Sequence, residues 1–101
     1  MDQKVIYEYE NYDIHLRRAD RAKNNQNYAL AYSEYVYAAK SLLLIAQLSS
    51  GNLKEELKKK SNFLIKIAEE CKEALEATLA AKEPPLERKP RERKRVKNEE
   101  N

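Results

Sequence analysis

Residues 1–83 contain no proline and a single glycine, Gly51, whereas all three prolines, Pro84, Pro85 and Pro90, fall in the last eighteen residues. Hairpins need residues that tolerate left-handed or pre-set backbone geometry, and a sheet of short strands needs many of them. A chain that avoids such residues for this long, with 37% of its side chains charged, is suited to long solvated helices. Its 101 residues fit one domain with a modest core. The expected class is all-α.

The apolar positions divide that stretch into three helices. Val5, Tyr9, Tyr12, Leu16 and Ala19 recur at steps of three and four, placing them on one stripe of a helix over about 5–24. The run Asn24-Asn25-Gln26-Asn27 interrupts it, because Asn competes for backbone hydrogen bonds and caps the helix that follows; Asn27 is the candidate cap. A second helix over 28–49 carries Tyr28, Ala31, Tyr35, Ala38, Ala39, Leu42 and Ala46 on one broad face, and its small residues permit close helix approach. Ser49-Ser50-Gly51-Asn52 ends it. Asn52 is placed to cap a third helix over 53–82 with Leu53, Leu57, Leu64, Ala68, Cys71 and Leu75 inward, stopped by Pro84-Pro85. Short connections make neighbouring helices antiparallel. The expected architecture is thus an antiparallel three-helix bundle over 1–83 whose long third helix overhangs its partners. Residues 84–101, nearly devoid of apolar side chains, read as a disordered basic linker or tail.

Charge is unevenly distributed. Residues 1–83 hold 13 basic and 13 acidic side chains and residues 84–101 hold 7 and 4, so the net +3 resides in the tail. Cys71 is the only cysteine, which excludes an internal disulfide and fits a reducing compartment. Met1 is followed by Asp2, Gln3 and Lys4 rather than an apolar signal core, and no run of about 20 apolar residues occurs. A soluble, cytoplasmic protein is expected.

Ala19, Asn27-Tyr28, Ala31, Tyr35 and Ala38 across the first two helices, followed by Phe63-Leu64-Ile65-Lys66-Ile67-Ala68-Glu69-Glu70-Cys71-Lys72 in the third, resemble the MIT (microtubule-interacting and trafficking) domain family over roughly residues 12–82. Tetratricopeptide hairpins share the Asn-Tyr, Ala and Tyr spacing, but an array of them needs several repeats of about 34 residues, and this chain has one hairpin. The resemblance implies a module attached to an AAA ATPase of the katanin and spastin kind, or to another trafficking protein. It implies capture of short C-terminal motifs of ESCRT-III-like filament proteins at membrane-remodelling sites or the cytoskeleton. The ATPase itself is not encoded here: no Gly-x-x-x-x-Gly-Lys-Ser/Thr loop occurs in the sequence.

Projected at 100° per residue, the third helix has two apolar flanks. Ile65 lies on one, with Lys72 near it and Glu69 beyond; Phe63, Ile67 and Ala74 lie on the other. The resemblance implies a peptide groove on each: Ile65, Ala68, Glu69 and Lys72 between the second and third helices, and His15, Phe63, Ile67 and Ala74 between the first and third. An incoming amphipathic helix would suit the former and an extended segment the latter. Leu30, Tyr37, Leu44 and Leu48 form a further apolar face on the second helix, opposite its inner stripe, open to a partner, a second copy or the N-terminal residues.

Neither a nucleophile with a base, nor a catalytic acid pair, nor a metal-ligand spacing is present, so no enzymatic activity and no cofactor are expected. Cys71 reads as a buried, inert thiol. The alternative to peptide capture is a microtubule or nucleic-acid tether through Arg91-Glu92-Arg93-Lys94-Arg95-Val96-Lys97.

Overall fold

The computed structural model describes residues 3–82. Three helices account for nearly all of them: α1 (Gln3–Asn24), α2 (Tyr28–Gln47) and α3 (Gly51–Lys82), with no strand among the described residues. The expected tail at 84–101 lies outside the described residues. α1 begins two residues before the expected 5–24, α2 ends two before 49, and α3 starts at Gly51, so Asn52 lies inside the first turn of α3 rather than capping it.

The first connection is a Schellman closure. The Asn27 N–H donates to the Ala22 carbonyl at 2.8 Å and the Gln26 N–H to the Lys23 carbonyl at 3.0 Å, with Gln26 left-handed at φ 62°. Asn27 then caps α2, its side chain accepting from the Leu30 N–H at 3.4 Å. At the other end, the Ser49 hydroxyl and the Leu48 N–H both donate to the Ile45 carbonyl. Gly51 opens α3 at φ 64°, a conformation that glycine adopts without steric cost.

Residues placed symmetrically about each turn meet across it. His15 meets Glu34, Asp20 meets Tyr35, and the Ser61 hydroxyl donates to the Ala39 carbonyl at 3.1 Å. α2 packs along both other helices, while the backbones of α1 and α3 scarcely approach each other. α2 is therefore the central element, and it alone buries a broad arc: Ala31, Glu34, Tyr35, Ala38, Ala39, Ser41, Leu42, Ile45 and Ala46. Alanines on that arc bring both neighbours close. Ala19 and Ala22 of α1 and Leu57, Ser61, Leu64, Ala68 and Cys71 of α3 complete the core.

Two inner stripes differ from expectation. On α1, Tyr9 is exposed and Glu8 and Ala22 are buried instead, because the helix is rotated toward its contact with α2. On α3, Leu53 is exposed and Leu75 only half-buried. The third helix is about 48 Å long against roughly 30 Å for α2, and residues 76–81 are all exposed. They project past the turn between α1 and α2.

Candidate functional site

The hydrogen bonds fix which flank of each helix faces which neighbour. On α2, Glu34 points to α1 and Ala39 lies against α3, about 140° apart at 100° per residue. Tyr32, Val36 and Leu43 lie just beyond Ala39 and border α3. Leu30, Tyr37, Leu44 and Leu48 lie beyond Glu34 and border α1. On α3, Ser61 faces α2, so Ile65 belongs to the α2 flank. Lys23 at the end of α1 is near enough to Cys71 to influence its thiol, so the opposite flank, with Ile67 and Ala74, faces α1.

The seam between α2 and α3 has an apolar floor with a charged rim. Ile65 and Val36 are half-buried and packed against the core, with Tyr32 and Leu43 exposed above them on α2. Glu69 and Lys72 are exposed beside Ile65, and neither is engaged in an ion pair among the described residues. Three of the four residues expected here, Ile65, Glu69 and Lys72, therefore share an accessible edge. Ala68 does not: it is fully buried beneath the seam, because its methyl fills the close contact with α2, and no ligand reaches it. The α2 contributors Tyr32, Val36 and Leu43 were absent from the expected site, although the projection applied to the third helix finds them when applied to the second.

Between α1 and α3 the arrangement differs from expectation. His15 is not beside Phe63, Ile67 and Ala74. It lies on the far side of α1, hydrogen-bonded through Nδ1 to Glu34 at 2.5 Å and stacked on Tyr37 with ring centroids 5.1 Å apart. The spacing of apolar residues along α1 does not determine which flank of that helix His15 takes. Ile67 and Ala74 are half-buried. Phe63 is 61% exposed and turned toward Lys59, Asn62 and Lys66, with which it lines a shallow surface depression. Val5, Tyr12, Leu16 and Ile67 are partly buried and packed against the core.

Burial perturbs two further groups near the α1–α2 contact. The Tyr35 hydroxyl donates to Asp20 at 2.5 Å, and burial, reinforced by that bond, pushes its pKa far above the ordinary value. Cys71 is buried, and burial raises its pKa too, with Lys23 partly opposing. A thiol held protonated is a poor nucleophile. Among the described residues no group of three His, Cys, Asp or Glu side chains is placed to hold a metal ion, and no helix is long and apolar enough to cross a membrane.

No family model, curated protein or solved structure matches this chain.

Proposed function

We propose that this chain is a protein-interaction module of the MIT kind. It would capture short C-terminal segments of ESCRT-III-like filament proteins and recruit an attached AAA ATPase or trafficking protein to them. The observation that carries this reading is the α2–α3 seam: Ile65 and Val36 form an apolar floor, Tyr32 and Leu43 extend it, and Glu69 and Lys72 stand on the rim with no ion pair among the described residues. An amphipathic helix laid there gains apolar burial from its leucine face and orientation from two rim charges of opposite sign. Rim charges in water add little affinity, so capture is weak and reversible, as recruitment to a remodelling polymer requires.

In this reading the helices form an antiparallel bundle and residues 84–101 serve as a basic linker to the attached domain. The α1–α3 side takes an extended segment over Ile67 and Ala74, with Phe63 at its margin and without His15.

The test is titration of fluorescent C-terminal peptides from ESCRT-III-like proteins into the full chain and into Ile65→Asp. A carboxylate on the seam floor must be desolvated without a counter-ion, so helical peptides should lose binding while circular dichroism is retained. Undiminished binding to a folded Ile65→Asp protein would remove the seam as the site.

A further inference from the structure

Leu30, Tyr37, Leu44 and Leu48 remain 45%, 52%, 39% and 46% exposed along the edge of α2 that borders α1. This edge is separate from the α2–α3 seam. Its first three members are spaced by seven residues, a step at which a straight helix drifts only about 20°. The result is a nearly axial seam about 27 Å long from Leu30 to Leu48. Seven-residue spacing is the register in which a second helix lies alongside at a shallow angle.

The borders of this seam are basic. At its upper end Arg18 and Arg21 flank Leu30 and, with Ala22, Asn25 and Asn27, enclose a surface depression. Both arginines are exposed, and neither is in an ion pair among the described residues. Midway, the Lys40 ammonium lies 5.6 Å from the centroid of the Tyr37 ring, whose other neighbour is the His15 imidazole. Of the acidic side chains nearby, Glu34, the only acid of α2, is bonded to His15 and Glu8 is buried, while Glu10, exposed on the same face of α1 as Arg21 but about three turns away, confines the basic border to the upper and middle parts of the seam. Asp13 is paired with Arg17.

We infer that the α1–α2 edge is a second docking surface, built for an acidic amphipathic helix of another protein lying along Leu30, Tyr37, Leu44 and Leu48 with a carboxylate at Arg18 and Arg21. Charge selects this occupant over those the chain itself could offer. Residues 84–101 carry 7 basic and 4 acidic side chains and are repelled by the same rim. A second copy docking in parallel by the same edge would set arginine against arginine, and one docking antiparallel would set Lys40 against Lys40 near the two-fold axis.

The experiment uses the full chain and two synthetic helical peptides of about 20 residues, both with leucines at heptad a and d positions, one with glutamates and the other with lysines elsewhere. The glutamate peptide should bind, and the lysine peptide should bind at least about tenfold more weakly. Arg18→Glu with Arg21→Glu should reverse that preference. Leu44→Asp, with Leu48→Asp as an independent second variant, should abolish the glutamate-peptide binding that remains when Ile65→Asp has removed the contribution of the α2–α3 seam. All these positions are exposed or half-buried, and circular dichroism confirms folding in each case. Equal affinity for both peptides, or unaltered binding by folded Leu44→Asp and Leu48→Asp in that background, would overturn the proposal. So would complete loss of glutamate-peptide binding in Ile65→Asp alone, which places that peptide in the α2–α3 seam. A concentration-dependent dimer of the wild type in sedimentation, dissociated by Leu44→Asp, would show the edge to be occupied by a second copy instead.

Discussion

The Tyr35 hydroxyl, carried by the most buried aromatic residue of α2, reaches out of the core to donate to the Asp20 carboxylate on the exposed side of α1. The bond spans the α1–α2 hairpin and keeps the phenol protonated. Burial is the larger cause of that shift and Asp20 the second. In the unfolded chain the phenol titrates at its ordinary value of 10.0. Its contribution to stability is thus fully present below pH 10 and lost as pH rises beyond, where only the unfolded state releases the proton. The Cys71 thiol, also raised from 9.0 by burial, adds a loss of the same sign starting slightly lower. Urea midpoints should hold steady to about pH 9 and then fall. Tyr35→Phe should flatten the fall above pH 10, at a cost of about 1 kcal/mol near neutrality, a modest figure because water can solvate the carboxylate left behind on exposed Asp20.

Leu64 and Ile65 are adjacent, yet Leu64 is buried in the core and Ile65 half-buried at the seam. Leu64→Ala should destabilise by about 2–5 kcal/mol, the range for a large-to-small change in a packed interior. Ile65→Ala should cost about half as much or less, since its surface is only partly withdrawn from water. Chemical denaturation of both variants checks the pair. Equal losses would mean that the seam residue is a core residue and that no groove floor exists there.

How far the sequence foretold this arrangement differs from helix to helix, for physical reasons. Most of the inner face of α2 was legible because Ala31, Tyr35, Ala38, Ala39, Leu42 and Ala46 pack against neighbours on both sides, although the expected stripe missed buried Glu34, Ser41 and Ile45 and included Tyr28, which is half-buried. On α1 the expected stripe held at Val5, Tyr12, Leu16 and Ala19, which are buried or packed against the core, and failed at Tyr9. Only one neighbour holds that helix, so a stripe of tyrosines and a stripe through Glu8, Ala19 and Ala22 compete, and burying alanine brings the helices closer than burying Tyr9 would. His15 followed that rotation to Glu34 and Tyr37. Ala68 was correctly placed on the inward face of α3 but could not also be a contact residue, since a methyl filling a close helix crossing is out of reach. The partner class rests on a resemblance of residues such as Asn27-Tyr28 and Ala68-Glu69-Glu70, and spacing alone does not supply it.

Glu8 is 8% exposed on α1 and makes no hydrogen bond or ion pair among the described residues. A carboxyl group withdrawn from water without a partner is costly whichever protonation state it takes. Glu8→Leu, which keeps similar bulk and removes the polar atoms, should stabilise the fold by about 1–2 kcal/mol. For a domain of this size that raises the midpoint of thermal unfolding by roughly 5–15 °C. An unchanged or lowered midpoint would show that the carboxylate is satisfied in solution.

Among the described residues, Gln26 is the one non-glycine residue with a positive φ. Its φ of 62° is needed for the Schellman closure in which Asn27 and Gln26 donate to Ala22 and Lys23. A side chain in the left-handed region brings Cβ against the following carbonyl, at roughly 1–2 kcal/mol; glycine occupies that region freely. Replacing Gln26 removes the strain but gives the unfolded chain more conformational freedom, a loss of about 0.4–1 kcal/mol. The strain is the larger quantity, so Gln26→Gly should stabilise by about 0.5–1 kcal/mol, and Gln26→Val, which is β-branched, should destabilise by more than that. Because Gln26 is exposed and lies between the helices rather than within one, neither change disturbs the core. Urea denaturation of the two variants separates the outcomes by sign. If Gln26→Gly were neutral and Gln26→Val no worse, the turn would have to relax out of the left-handed conformation in solution, and α2 would lose the closure that sets Asn27 in place to cap it.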